Sequence, residues 1–206
     1  VDISEQMIAK ARERTVPGAP CEFREGDVLV GEVWMCSGQS NMGFAVGGDW
    51  KADLETLASD HPNLRLISVP QVGTQELKDD FNGAWESATP ENCRGFSAVG
   101  FYYGRYLHEI LGVPVGLIDN AWGGSAAEAW VRRETLEKDE RFKTLLDGWR
   151  EREAQLGSAE TRANYEKAML EWNGAAEKAR AEGKPVPGQP SNPDQLLSGN
   201  SRPGNI

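Results

Sequence analysis

A serine hydroxyl becomes a useful nucleophile only where a base can take its proton and a carbonyl can reach its oxygen. Ser40 meets the second condition by position. It lies in Ser37-Gly38-Gln39-Ser40-Asn41-Met42, directly after the apolar run Val-Leu-Val-Gly-Glu-Val-Trp-Met-Cys at 28–36. Such a run predicts a strand buried on both faces, the type found in parallel sheets. Ligands of open α/β sheets bind beyond the carboxyl ends of the strands. Gly38 lets the chain turn sharply, Asn41 can hold that turn, and N–H groups at a following helix start can stabilise an oxyanion. Residue type alone also allows Ser40 to be an ordinary turn residue, since a serine after a strand is common.

A second glycine turn offers backbone donors. Asp119-Asn120-Ala121-Trp122-Gly123-Gly124-Ser125 follows a third apolar segment, and Ala126 to Arg133 reads as a helix start. The Gly123-Gly124 pair can present N–H groups to an oxyanion or simply make a tight strand-to-helix turn. Phosphate binding is disfavoured there, because no lysine follows in P-loop spacing. Glu128 can contact a substrate or cap and pair on its own helix. The chain has 2 histidines. His61 sits in the turn-like Asp60-His61-Pro62 and His108 in a helical stretch, and neither has an Asp three residues ahead of it.

The elements that must position these residues alternate. A second strand is expected at Leu64–Val69, stopped by Pro70. A helix is expected at 97–111, with Val99, Tyr103, Tyr106, Leu107 and Ile110 as its apolar face. A third strand is expected from Pro114 to Ile118. Strands alternating with helices favour an α/β layered architecture. Residues 134–182 change character: Phe142, Leu145, Leu146 and Trp149 mark one amphipathic helix, and Tyr165, Ala168, Met169, Trp172 and Ala176 another. Gly157-Ser158 separates them, so an antiparallel helical hairpin inserted at the surface is expected. Residues 183–206 are rich in Pro, Gly, Asn and Ser and read as a loop. Residues 1–27 read as a helix followed by a short strand.

Composition sets the outer limits. The 206 residues suffice for one domain with a real core. A net charge of −10 argues against a nucleic-acid partner. No apolar run approaches the roughly 20 residues of a membrane helix. Cys21, Cys36 and Cys93 match no zinc or redox spacing, and Cys36 reads as a buried small hydrophobe. No metal or cofactor site is expected. No signal peptide is visible, and the compartment stays open, a secreted or periplasmic full-length protein included.

The strings themselves carry a resemblance. Gly31-Glu32-Val33-Trp34-Met35-Cys36-Ser37-Gly38-Gln39-Ser40-Asn41-Met42 closely resembles the nucleophile block of the sialate O-acetylesterase family, carbohydrate esterases within the SGNH hydrolases. Phe96 to Arg105 with Gly112 to Ile118 is similar to the family's next segment. Trp122-Gly123-Gly124-Ser125-Ala126-Ala127-Glu128-Ala129-Trp130 is similar to its glycine pair followed by Glu-Ala-Trp. The three matches fall in order over about residues 28–133. The resemblance implies a three-layer, flavodoxin-like α/β fold with a parallel sheet and hydrolysis of acetyl esters on sugars. Ser40 would be nucleophile and oxyanion N–H donor, Gly123 or Gly124 a further donor, and Gln39, Asn41 and Glu128 residues of the substrate side. The expected partner is an acetylated carbohydrate. The family's Asp-x-x-His base has no counterpart, and the ending Ser198 to Ile206 reads as a stop in mid-domain, so a partial esterase domain is expected over 28–133. A carbohydrate-binding or interaction module of the same fold is the alternative. Residues 1–27 weakly resemble the region after the glycine-rich loop of class I methyltransferases, but that loop is absent and no cofactor site follows.

Overall fold

The computed structural model describes residues 29–206. The helix, strand and methyltransferase-like reading of residues 1–27, and Cys21, lie outside them. Two compact units divide the chain, one holding the described residues up to Pro70 together with Phe81–Gly123, the other Gln71–Asp80 together with Gly124–Ile206.

The first unit is built on a four-stranded sheet of β1 (Glu32–Gly38), β2 (His61–Ser68), β3 (Glu86–Ala88) and β4 (Val115–Ala121), in the order β1-β4-β2-β3. β4 runs parallel to both β1 and β2, and β3 adds an antiparallel edge. This mixed, mostly parallel α/β arrangement is the fold class expected. Short helices α1 (Ala52–Leu57) and α2 (Pro90–Cys93) fill the connections. The long helix α3 (Ala98–Leu111) lies on one face of the sheet, over Cys36 of β1 and Leu117 of β4.

α3 starts where Ser97 accepts the Gly100 N–H at 3.0 Å, and it ends at Gly112, whose φ of 66° only glycine adopts easily. Its buried face differs from the expected one. Ala98, Gly100, Phe101 and Gly104 are buried, whereas Val99, Tyr103, Tyr106 and Ile110 are exposed. The reason is steric. A Cβ on Gly104 would lie 2.5 Å from Leu117 Cδ1, and one on Gly100 2.8 Å from Cys36 Sγ. The small residues let the helix settle close to the strands beside Phe101; of the expected face only Leu107 packs against the core, and Val99, Tyr103, Tyr106 and Ile110 turn outward.

β1 also departs from expectation. Among the described residues it is an outer strand of the sheet, and it is not buried on both faces. Cys36 is buried toward α3, and Trp34 meets Tyr103 edge-on at 5.2 Å. Val33 and Met35, on the opposite face, are exposed. Leu64, Leu66, Phe96, Phe101, Val115 and Leu117 complete the core with Cys36 and Cys93, both free thiols. Burial raises both thiols above the ordinary cysteine range.

The second unit is helical: α4 (Arg133–Glu137), α5 (Lys143–Leu156), α6 (Ala159–Ala181) and α7 (Pro193–Leu197). Ser158 caps α6 by accepting the Thr161 N–H at 3.1 Å. Leu146 and Ala176 are buried, and Phe142, Trp149, Tyr165 and Trp172 are half-buried. Residues 183–206 are not all loop. Asn192 caps α7, with Pro193 at its first position, where the missing N–H costs nothing. The tail beyond it is tied to Gln71–Asp80: Gly73 N–H donates to Ser198 O at 3.0 Å and Thr74 N–H to Asn205 O at 2.9 Å. Glu153 of α5 accepts from Arg133 Nη1 at 2.5 Å and Arg202 Nε at 2.8 Å. Burial raises the Glu153 carboxyl, but the two guanidiniums outweigh it and hold the group below its usual range.

Candidate active site

β1 ends at Gly38 with φ 149°, a conformation that disfavours any other residue. The chain then closes a single turn, with Gly43 N–H donating to Gln39 O at 2.8 Å. Where a helix start is expected after Ser40, the described chain instead continues to the 3-10 turn Val46–Gly48. The serine turn is pinned from below. Ser97 Oγ donates to Met42 Sδ at 3.4 Å, and Ala98 N–H donates to Phe44 O at 2.8 Å. The N-cap of α3 therefore also seats the loop that carries Ser40.

Gln39, Ser40 and Asn41 are exposed at the carboxyl end of β1. β4 is the neighbouring parallel strand, and its exit loop comes to the same end. Trp122 N–H donates to Gly38 O at 2.9 Å, which carries the ladder one residue past the end of β4. A Cβ built on Gly123 would stand 3.8 Å from both Ser40 Cα and Ser40 Oγ. The backbone of Gly123 thus borders the serine. Ser40 N–H donates to Gln39 Oε1 at 3.0 Å, and Ser40 Oγ donates to the same oxygen at 2.6 Å.

Gly124 and Glu128 belong to the second unit. Gly124 has φ 72°, and a Cβ there would lie 3.8 Å from Asn200 Nδ2. Glu128 is the second residue of the 3-10 turn Ala127–Trp130, half-buried, and its backbone carbonyl accepts the Gly204 N–H at 3.0 Å. Trp130 Nε1 donates to Ser125 Oγ at 2.9 Å.

Neither histidine reaches the serine. His61 opens β2, and Leu64, three residues on, pairs with Val115 at the level of Glu32. At about 3.3 Å per residue, the whole strand, roughly 20 Å, separates His61 from the end that carries Ser40. Burial lowers the His61 pKa, and its Nε2 has no hydrogen-bond partner among the described residues. His108 holds Val113 O through Nδ1 at 2.7 Å, also at the amino end of the strands.

Asp119 was not singled out by its sequence context. It sits on β4 in register with Cys36 and Ser68. Burial raises its carboxyl pKa against the pull of the Ala121 and Ser97 backbone N–H groups, and Oδ1 has no partner among the described residues. Trp50 is almost fully exposed, Trp85 about half exposed, and Trp122 half-buried. An apolar concavity of about 290 Å³ lined by Leu29, Val33, Trp85 and Gly116 opens on the sheet face away from α3 and does not include Ser40. No cluster of metal-ligating side chains occurs among the described residues.

A mostly parallel sheet that delivers an exposed serine and a glycine loop to one strand end makes this an α/β protein of the kind that the SGNH resemblance implies. The family model described as carbohydrate esterase, sialic acid-specific acetylesterase matches residues 30–182, and the chain belongs to that family. It is similar to the sialate O-acetylesterase of Mus musculus, 37% identical over 123 residues that cover 55% of this chain and 23% of that protein. The sialate O-acetylesterase of Homo sapiens is 38% identical over 123 residues, covering 55% of this chain and 24% of that protein. Among solved structures, a carbohydrate acetylesterase from Xanthomonas citri aligns with TM-score 0.50 and 37% identity, over 51% of this chain and 24% of that one. The chain thus spans about a quarter of the length of the relatives it matches.

Proposed function

We propose that this chain carries the nucleophile-bearing part of a serine esterase that removes O-acetyl groups from sialic acid or related carbohydrates. The observation that carries the reading is the convergence of Ser40 with the Gly123 backbone at the end of two paired parallel strands. Ser40 Oγ attacks the acetyl carbonyl carbon, and its proton passes to a base. The carbonyl oxygen takes the developing negative charge, met by the Ser40 N–H and by an N–H of the Gly123-Gly124 turn. Collapse of the intermediate expels the sugar oxygen, which recovers the proton. Water then attacks the acetyl-serine and releases acetate. Gln39 and Asn41 border the nucleophile on the substrate side, and Glu128 is a further candidate contact.

The base is the missing member. The chain has 2 histidines, and both stand at the amino end of the strands, so the imidazole comes from an Asp-x-x-His segment outside this chain. Removing a triad member leaves only a residual acceleration of about 10³–10⁴-fold over water. The test is hydrolysis of a simple acetyl ester by the purified chain, by Ser40→Ala, and by a version extended with the family's Asp-x-x-His segment. The extended version is expected to turn over, the short chain to be very weak, and Ser40→Ala in the extended version to lose activity. Equal rates for the short and extended versions, both abolished by Ser40→Ala, would place a base within this chain and refute the argument. A second reading, a carbohydrate-binding module of the same fold, is favoured by the separation of both histidines from Ser40. It requires the extended version to bind acetylated sugar without turnover.

A further inference from the structure

The Gln39 side chain lies across the nucleophile in a way that the reaction does not require. Its Oε1 accepts the Ser40 N–H at 3.0 Å and the Ser40 hydroxyl at 2.6 Å. The chemistry fixes which end of the carboxamide faces the serine. A backbone N–H can only donate, so the atom it meets must be the carbonyl oxygen and not the amide nitrogen. An oxyanion-hole donor is expected at about 2.7–3.1 Å from the place where the substrate oxygen will carry charge. Gln39 Oε1 stands at that distance from the Ser40 N–H, within contact of the attacking oxygen. It is a carbonyl oxygen seated where an acyl oxygen would be.

We propose that Gln39 is an internal competitor for the acyl-oxygen seat: its side-chain carbonyl occupies the position of the ester carbonyl oxygen in the resting protein and must swing out before an ester can bind. This rests on the reading of Ser40 as nucleophile and goes beyond it, since it assigns Gln39 a defined act. Two consequences follow for the resting state. The Ser40 proton is directed at Gln39 and away from any approaching base, and the Ser40 N–H is already satisfied. A ligand that offers an oxygen to the seat exchanges one hydrogen bond for another, so the seat selects for oxygens stronger as acceptors than a neutral amide. A carboxylate product or a developing oxyanion is such an oxygen. The Gln39 side chain is exposed, so it can leave into water without opening the core.

The experiment uses the full chain, labelled with nitrogen-15, and follows the Ser40 amide. Gln39→Ala and Gln39→Met both remove the acceptor, the second with side-chain length retained. Gln39→Glu keeps an acceptor oxygen at the same reach. The Ser40 amide proton is expected upfield of wild type, with a steeper temperature coefficient, in the Ala and Met variants and near or below the wild-type field in the Glu variant. Acetate, added as the probe, is expected to return the Ser40 amide downfield in the Ala and Met variants at a midpoint at least about threefold lower than in wild type. A Ser40 amide unmoved by both Gln39→Ala and Gln39→Met overturns the proposal, and so do acetate midpoints equal to wild type. The Ser40→Ala ester assay decides the esterase reading separately: loss of that reading leaves the amide result standing as a turn contact, and failure of the amide result leaves the esterase reading intact.

Discussion

Asp119 places a carboxyl inside the packing of the first unit, between strands and beneath the helix that seats the serine turn. One of its oxygens takes the Ala121 and Ser97 N–H groups, and Oδ1 has no partner among the described residues. The folded protein therefore favours the protonated form, with a pKa raised from the ordinary 3.8. A raised carboxyl means that the folded state holds more protons than the unfolded state once pH exceeds the ordinary value. Stability then falls as pH rises from that value to the raised one and levels off above it. One group can impose a slope of at most about 1.4 kcal/mol per pH unit. Leaving a buried acceptor unpaired costs about 1–3 kcal/mol. Asp119→Asn keeps the shape and removes the ionisation. It is expected to stabilise α3 and β4 at neutral pH by the ionisation penalty alone, up to about 1.4 kcal/mol for each unit by which burial raises the carboxyl, with the gain fading toward pH values below the ordinary carboxylate range. Native-state amide exchange at α3 and β4 measures this, because comparing variant and wild type at one pH cancels the intrinsic exchange rate. A difference that is constant across pH, or a variant less stable than wild type at neutral pH, would refute the reasoning.

Ser97→Ala removes the N-cap of α3 and the contact to Met42 together. About 1 kcal/mol of stability should be lost, and the Ser40 and Asn41 amides should shift in the same spectrum; a stable variant with an unmoved serine turn would show that the cap does not seat it. Glu153→Gln leaves Arg133 and Arg202 without their shared carboxylate, each about one-fifth exposed. The loss should be about 2 kcal/mol at neutral pH. Because the Glu153 pKa is lowered, its contribution is present above the ordinary carboxylate value and lost as pH falls through the lowered one. Chemical denaturation should therefore find wild type and Glu153→Gln converging in acid, and a gap that widens there would contradict the pairing.

The strands that read clearly in the sequence were those with clustered apolar and β-branched residues, β1, β2 and β4, and the helix with both a serine cap and a glycine stop, α3. Their burial was less legible. Val99, Tyr103 and Ile110 share a helical face, yet Gly100 and Gly104 decide which side meets the sheet, because close approach outweighs side-chain size. β1 has the composition of a central strand and, among the described residues, the position of an outer one, and composition cannot report strand order. β3 has three residues, too few for any periodicity. α7 did carry a signal, Asn192-Pro193, within a stretch whose Pro and Gly content suggested loop. At the site, Ser40 and Gly123 were visible as types in sequence, but the Gln39 carbonyl over Ser40 is a matter of rotamer. The unpartnered Asp119 oxygen is likewise set by neighbours far along the chain.

The hydrogen bond from Trp122 to Gly38 O bears on how this chain can change length. It ties the exit loop of β4 to the last residue of β1, the two strands being paired residue for residue from Glu32–Val115 to Gly38–Ala121. A single insertion within either strand would turn alternate side chains to the wrong face and move one loop about 3.3 Å past the other. Connections outside the β1–β4 ladder, apart from positions such as Gly73 and Thr74 that are bonded to the tail, can lengthen or shorten without altering the distance from Ser40 to Gly123. Insertions and deletions among relatives should therefore collect in the connections and spare the two seven-residue strands.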